Sequence, residues 1–201
     1  SVERAQRLVA AARDLADERQ SAGFTVHEVA ARAGSSLKGF YRCFAGKDDL
    51  LVALLAADSR IGAEILAERV AAAPTHAERL HTCVTGLLDL CTVPGAEGYA
   101  RVLVSEHRRL SQERTDELAA ALAPIVSVIT TAIDDAVGAD AAVSSAPARD
   151  AETIFFLVLD GIHAVSFGRV DPAEHVAYLW QFCSRALSVA NPLAPSSKES
   201  P

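Results

Sequence analysis

The sequence predicts an all-α protein in which three short helices are followed by about six longer ones. Apolar residues recur at spacings of three and four along most of the chain, which is the period of an amphipathic helix. Alanine is abundant, glycine and proline are sparse, and no segment alternates apolar and polar residues as a half-buried strand does. Half of the residues are hydrophobic, which is enough for a substantial core and excludes a chain that is disordered throughout.

The first predicted helix spans about residues 2–20. Leu8, Ala12 and Leu15 recur on one face of it, and Gly23 interrupts the pattern. We therefore expect an amphipathic helix that presents this face to a core.

The second and third predicted helices begin at polar caps. Thr25, with Glu28 three residues later, forms a capping box that places the second helix at about 26–33. Ser36 is the N-cap of a third helix at about 37–44. Two short helices joined by such a tight turn are a candidate helix-turn-helix motif.

The later predicted helices are longer, and prolines or glycines separate them. Pro74 ends the fourth helix, and Pro94 with Gly95 follows the fifth. Pro124 lies within the seventh, where we expect a kink. The expected ranges are about 47–73, 75–91, 97–110, 112–137, 148–168 and 172–188.

These elements divide the chain into three parts. Residues 1–46 form the predicted helix-turn-helix domain, and residues 47–190 form a larger helical domain. Residues 191–201 contain three prolines and three serines, so we expect a disordered tail there.

The third predicted helix has two unlike faces. Phe40 and Phe44 share one face and are expected to pack on the two preceding helices. The opposite face carries two cations, a phenol and an aliphatic group, which suit a DNA major groove. Taken alone, such a face on a short helix more often reflects simple exposure to solvent. Its members are Leu37, Lys38, Tyr41 and Arg42.

A run of residues around this helix carries a resemblance to a known family. It consists of Thr25-Val26, Ala30-Ala31-Arg32-Ala33-Gly34, Ser36, Phe40-Tyr41-Arg42-Cys43-Phe44 and Lys47-Asp48-Asp49-Leu50-Leu51. On these residues, the segment 4–55 resembles the N-terminal DNA-binding domain of the tetracycline-repressor (TetR/AcrR) family. The chain departs from the family pattern at Ser35, Lys38, Gly39 and Cys43, which bears on the base sequence that is read. Gly39 is also unfavourable inside a helix by about 1 kcal/mol relative to alanine.

The resemblance implies a bacterial transcriptional regulator, and more specifically a repressor, that binds a palindromic operator in double-stranded DNA. It implies that Thr25, Tyr41 and Lys47 contact backbone phosphates. Ser36, the N-cap of the third helix, is also among the predicted DNA-binding residues. The candidates for reading bases are Leu37, Lys38 and Arg42. It also implies a homodimer, whose two recognition helices would lie about 34–36 Å apart on the operator.

In the family, the last two helices pair with those of a second copy in a four-helix interface. The matching apolar stripes of this chain predict the residues that would form it. They are Phe155, Val158, Ile162, Val165, Val176, Leu179, Trp180, Cys183 and Leu187.

The resemblance further implies a small apolar effector that binds among the middle helices and releases the protein from DNA. The candidate lining residues are Leu87, Leu103, His107, Ile129, Phe156 and Asp160. Two other interpretations stay open for the polar members. His107 lies within Glu106-His107-Arg108-Arg109, where a surface or ion-paired role is as compatible, and Asp160 could pair with His163 three residues later.

Other function classes find little support in the sequence. No nucleophile elbow, zinc-protease, dinucleotide-binding or P-loop motif is present, so we expect no catalytic residues, no metal site and no cofactor. The four cysteines include no C-x-x-C pair, which favours a reduced, cytoplasmic protein. No apolar run approaches about 18 residues, so we expect no membrane span. The alternative function is a helix-turn-helix scaffold that acts through protein contacts without ligand sensing.

The net charge of −7 argues at first against DNA binding, because phosphate contacts require lysine and arginine. The charge is unevenly distributed, however. Residues 1–50 contain 8 basic and 7 acidic residues, whereas residues 51–201 contain 11 and 19. Between residues 36 and 47 there are three cations and no carboxylate. The acidity therefore belongs to the predicted ligand-binding and dimerisation region.

Overall fold

The structure is a computed structural model that describes residues 2–93 and 95–189. Among the described residues, the only regular secondary structure is the α-helix, and turns and loops connect the helices. In chain order the helices are α1 (Val2–Arg19), α2 (Val26–Arg32), α3 (Leu37–Tyr41), α4 (Lys47–Ala72), α5 (His76–Cys91), α6 (Glu97–Leu110), α7 (Thr115–Gly138), α8 (Pro147–Ser166) and α9 (Pro172–Ala186). This confirms the all-α prediction. The expected disordered tail, 191–201, lies outside the described residues.

The predicted capping residues stand at the helix ends. Thr25 and Glu28 form the capping box of α2, and Ser36 Oγ accepts a hydrogen bond from the backbone N–H of Gly39 at 3.0 Å. Thr75 and Glu78 form a second capping box at the start of α5. Most helix ends lie within three residues of the positions that the sequence predicts.

The third helix is shorter than predicted. It ends at Tyr41 instead of near Phe44. The backbone N–H groups of Cys43 and Phe44 both donate to the carbonyl of Phe40, at 2.8 and 3.0 Å, so the chain leaves the helix in a tight turn. Phe44 still reaches the core, but it does so from the turn.

The first four helices surround one cluster of buried side chains. Phe24, Phe40 and Leu50 are each at most 1% exposed within it. Phe40 and Phe44 pack together at a ring distance of 5.7 Å, on the face that the sequence predicts to be buried. This packing fixes the orientation of α3, because the opposite face of so short a helix must then point outwards.

A second cluster of buried side chains lies among α4, α5, α7, α8 and α9. Helix α4 joins the two clusters: Leu50 and Leu54 belong to the first, and Ala63 and Leu66 belong to the second. Helix α6 joins them too, since its Val102 packs with the first cluster and its Val104 with the second. Both helices are therefore placed to connect the two parts of the molecule.

Helix α7 is the longest apolar segment. It is long and apolar enough to cross a membrane, with a mean hydropathy of 1.6 over its best window, although the sequence offered no apolar run that suggested one. Its inner side packs against α4, α5 and α8, with Ile129 and Ile133 fully buried. These contacts are those of a core helix.

The faces of α8 and α9 that we expected to meet a second copy point into the chain instead. Seven of the nine expected residues are less than 9% exposed and belong to the second cluster, and Val165 and Val176 pack partly buried against it. The buried seven are Phe155, Val158, Ile162, Leu179, Trp180, Cys183 and Leu187. These side chains fill the chain's own core, so in this structure they are not exposed to a second copy.

Candidate functional site

The outward face of α3 is polar and basic. Leu37 and Tyr41 are 42% and 59% exposed, and Lys38 and Arg42 are also exposed. The ring of Tyr41 stands edge-on to buried Phe40 at 5.3 Å. The structure therefore places the four predicted residues on one accessible surface, which we call the α3 face.

Gly39 lies against the side chain of Ser35. A Cβ at this position would lie 2.5 Å from Ser35 Oγ, so a larger residue there would require the Ser35 hydroxyl to rotate away. Ser35 and Gly39 are two of the departures from the family pattern, and the structure shows that they adjoin each other.

The N-terminal end of α2 is occupied by its own side chains. Thr25 Oγ1 accepts from the N–H of Glu28 at 3.2 Å and donates to the carboxylate of Glu28 at 2.9 Å. Arg19 donates to the other oxygen of that carboxylate at 2.6 Å. The hydrogen bonds from Arg19 and Thr25 lower the pKa of Glu28 to about 2.

Lys47, at the start of α4, is engaged within the chain. Its ammonium group donates to the carbonyl of Ala22 and lies 4.8 Å from the centroid of the Phe24 ring. The side chain thus holds the segment between α1 and α2 against α4. The ammonium group of Lys47 has two further N–H donors besides the one directed at Ala22.

Two arginines at the end of α6 and in the turn after it bind the first turn of α4. Arg109 Nη2 lies 2.6 Å from Asp48 Oδ1, and Arg114 Nη1 lies 2.5 Å from Asp49 Oδ1. Asp49 also accepts from the N–H of Ala45 at 2.7 Å, in the link between α3 and α4. The guanidinium groups of Arg109 and Arg114 are the main cause of the low pKa values of Asp48 and Asp49.

A third connection joins α1, α4 and α6. The carboxylate of Asp58 on α4 accepts from Arg13 Nε at 2.9 Å and from the hydroxyl of Tyr99 at 2.5 Å. Burial is the largest cause of the raised pKa of Tyr99, and the neighbouring Asp58 carboxylate adds to it.

Two neighbouring cavities open between α6, α7 and α8. The larger, of about 390 Å³, lies along α7 and is mainly apolar. The smaller, of about 280 Å³, is lined by Arg108, Asp160 and His163 among others. They share His107, Ser111 and Phe156, so they form one continuous depression. Burial lowers the pKa of His107.

The predicted ligand-binding residues separate into two groups. His107 and Phe156 line both cavities, and Asp160 lines the smaller one. Leu87 and Ile129 are packed in the second core cluster, and Leu103 packs against the first. His163 receives a hydrogen bond from Arg108 at 3.2 Å, in place of the pairing with Asp160 that the spacing allowed.

Residues of α7 that the sequence analysis missed form much of the larger cavity. They follow a stripe on α7 beside the one that is buried in the core, which includes Leu118, Ile125 and Ile129. The recurrence of these residues at spacings of three and four was the available signal. This stripe consists of Thr115, Ala119, Leu122, Val126 and Thr130.

The outward sides of α8, its C-terminal turn and α9 expose four aromatic rings. Phe156 and Phe167 are 53% and 45% exposed, and Tyr178 and Phe182 are 61% and 51% exposed. Tyr178 and Phe182 are four residues apart, so they share one stripe of α9. We call these four rings the aromatic face.

The segment from α1 to the start of α4 has a counterpart among known families. Residues 8–54 match the model of a family described as bacterial regulatory proteins, tetR family. The match covers α2, α3 and the turn between them, with the buried core that orients the α3 face. Over these residues, the chain carries a segment of the tetR-family type.

Several solved structures share the fold along nearly the whole chain. RolR in complex with resorcinol has a TM-score of 0.74 at 14% identity, over 98% of this chain and 97% of that one. FadR from Bacillus subtilis in complex with stearoyl-CoA has a TM-score of 0.70 at 16% identity, over 89% and 96%. A TetR-family regulator from Pectobacterium atrosepticum has a TM-score of 0.71 at 18% identity, over 92% of both chains. No curated protein matches the sequence significantly.

Proposed function

We propose that this chain is a tetR-family regulator, a homodimeric repressor that binds a palindromic operator and leaves it when a small molecule binds between α6, α7 and α8. The observation that carries the proposal is the α3 face. Two cations, a phenol and an aliphatic side chain stand exposed on a helix whose other side is anchored by Phe40. Arginine and lysine can donate to phosphates and to guanine, and an aliphatic group can touch a thymine methyl.

The aromatic face supports a homodimer. Phe156, Phe167, Tyr178 and Phe182 are large apolar groups exposed close together in sequence on the last two helices. Exposed apolar patches of this kind mark interaction surfaces. A twofold dimer would present two α3 faces to the two halves of a palindrome.

The position of the depression supports release by a ligand. His107, Ser111 and Thr115 line it, while Arg109 and Arg114, in the same stretch of chain, bind the first turn of α4 on the other side. A ligand that shifts this stretch would move α4 and change the spacing of the two α3 faces. Such coupling requires that the ligand bind the two states with different affinity. Two proteins of the same fold contain small molecules in their complexes.

We further propose a division at residue 46, with DNA binding before it and ligand binding and dimerisation after it. Helix α4 then acts as the connection, since its residues belong to both core clusters. A regulator of this kind acts in the cytoplasm without catalysing a reaction.

Selection of DNA fragments from a random pool, followed by titration at several salt concentrations, tests the proposal. A sequence-specific repressor should enrich a palindrome, and the logarithm of its binding constant should fall linearly with the logarithm of salt concentration. A scaffold that acts through protein contacts would enrich no sequence and show no such slope. Failure to enrich any duplex with the dimeric protein would refute the proposal.

A further inference from the structure

The larger cavity has an unusual balance of hydrogen-bonding groups. Four hydroxyls line it, and one of them belongs to the exposed Ser127. The other three each donate their proton to a backbone carbonyl of their own helix or turn. Ser111 donates to Arg108, Thr115 donates to Ser111, and Thr130 donates to Val126, all at 2.9 Å. What these three hydroxyls offer to the cavity is therefore oxygen lone pairs.

The charged groups add to this imbalance. No lysine or arginine is among the residues that line the larger cavity, and its one carboxylate, Glu152, lies exposed at the mouth. The nearby guanidinium groups are directed elsewhere: Arg109 and Arg114 bind carboxylates of α4, and Arg108 donates to His163.

His107 is the group best placed to orient an occupant. Its imidazole lines both cavities, and burial lowers its pKa, which favours the neutral form. A neutral imidazole offers one donor and one acceptor. Phe155 and Phe156 supply apolar ring surface beside it.

We propose that the larger cavity binds an uncharged aromatic molecule that carries hydroxyl groups, such as a phenol. Each hydroxyl of the ligand would donate to a lone pair of Thr130, Thr115 or Ser111. A carboxylate or phosphate group on the ligand would be repelled by these lone pairs, and no lysine or arginine on the lining would balance its charge. An ammonium group would lose part of its hydration in exchange for an ion pair with Glu152, which is exposed, and exposed ion pairs contribute about 1 kcal/mol or less. This inference rests on the proposed function, because it names the class of molecule that would release the repressor.

Four naphthalene derivatives with one apolar body provide the test, by calorimetric titration of the full-length protein. They are 2-naphthol, 2-methoxynaphthalene, 2-naphthoate and 2-(aminomethyl)naphthalene. The phenol should bind about tenfold more tightly than the methyl ether, which is the loss that one unmatched hydrogen bond produces. The carboxylate and the amine should bind more weakly still.

Two substitutions on α7 connect that preference to the cavity. Thr130→Val keeps the shape of the side chain and removes the lone pairs, so it should bring the ratio between phenol and ether close to one. Thr131→Val is the matched control, because Thr131 makes the same kind of bond to a backbone carbonyl, at 3.0 Å, but does not line this cavity. It should leave the ratio unchanged.

The outcomes separate the inference from the proposed function. Binding of the carboxylate, the amine or the ether as tightly as the phenol would overturn the inference, and so would binding of none of the four. An unchanged ratio in Thr130→Val, with Thr115→Val and Ser111→Ala also unchanged, would overturn it as well. DNA selection and salt dependence are measured without any ligand, so the proposed function stands or fails on those results alone.

Discussion

Arg109 of α6 binds Asp48 of α4 across 61 residues of sequence, with Nη2 2.6 Å from Oδ1. Arg114 binds the adjacent Asp49 from the turn between α6 and α7. The side chains of the first pair are 48% and 41% exposed, and exposed ion pairs contribute about 1 kcal/mol or less to stability. Their position is more informative than their strength, because the same stretch of chain lines the larger cavity.

Arg109→Gln should weaken the connection between the cavity and the DNA-binding helices while preserving the fold. Its unfolding temperature should fall by no more than about 4 °C, as expected for the loss of about 1 kcal/mol. The release of a selected duplex by 2-naphthol, followed by fluorescence anisotropy, should become several-fold weaker. The control is Arg60→Gln, which removes an exposed arginine of α4 for which the described residues provide no ion pair. In this variant, 2-naphthol should release the duplex as well as it does in the wild type. An undiminished response in both Arg109→Gln and Asp48→Asn would exclude this pair from the coupling.

Substitutions on the α3 face should divide into two classes. Lys38→Gln and Arg42→Gln remove candidate base contacts, so they should relax sequence preference by a factor of about ten at the affected base pairs. Tyr41→Phe removes a candidate phosphate contact and should weaken binding to all duplexes alike. Gel-shift titration on operator variants measures both effects. The control is Arg32→Gln, because the side chain of Arg32 is bound to Glu18 at 2.7 Å. An unchanged preference for base sequence in both Lys38→Gln and Arg42→Gln would contradict the assignment of these residues as base contacts.

The aromatic face and the buried stripe of α9 should respond differently to substitution. Phe182→Glu replaces an exposed ring with a charged side chain. The variant should therefore be a monomer in light scattering, with little change in unfolding temperature. Trp180 is only 4% exposed, and Trp180→Ala should destabilise the fold by about 3–5 kcal/mol. A dimeric Phe182→Glu, Tyr178→Glu double variant would place the interface elsewhere.

Asp58→Asn should destabilise the folded chain, because Asp58 links three helices through Arg13 and Tyr99. Hydrogen bonds to a charged group contribute about 1.5–3 kcal/mol, so we expect a loss of about 2 kcal/mol in urea denaturation. Tyr99→Phe removes one of these bonds and should lose about half as much. If Asp58→Asn were as stable as the wild type, the hydrogen bonds of Asp58 would make no net contribution to the free energy of unfolding.

The stabilising effect of Glu28 should depend on pH. Its folded-state pKa, about 2, is below the ordinary value of 4.5, so the charged form is favoured by folding. The stabilisation is fully present above about pH 5 and decreases as the pH falls through 4.5 towards 2. The difference in unfolding temperature between the wild type and Glu28→Gln should shrink over that range. A difference independent of pH would contradict the role of the carboxylate charge.

Local signals in the sequence were sufficient for the helices and for the α3 face. Thr25 with Glu28, and Ser36, locate helix starts because a cap acts on backbone groups within three residues of itself. Phe40 and Tyr41 could be assigned to opposite faces because the period of a helix is known in advance. The premature end of α3 escaped prediction, since it depends on how the turn at Cys43 and Phe44 meets α4.

The sequence by itself thus determined the all-helical class, the helix caps and the polarity of the α3 face, all of which arise from interactions between near neighbours in the chain. The tertiary structure alone decided which stripe of each later helix is buried. Helices α8 and α9 carry two apolar stripes, and only their packing on α5 and α7 shows that Trp180 faces inwards and Phe182 outwards. It also decided the pairing of Arg109 with Asp48, because nothing local in either segment specifies a partner 61 residues away.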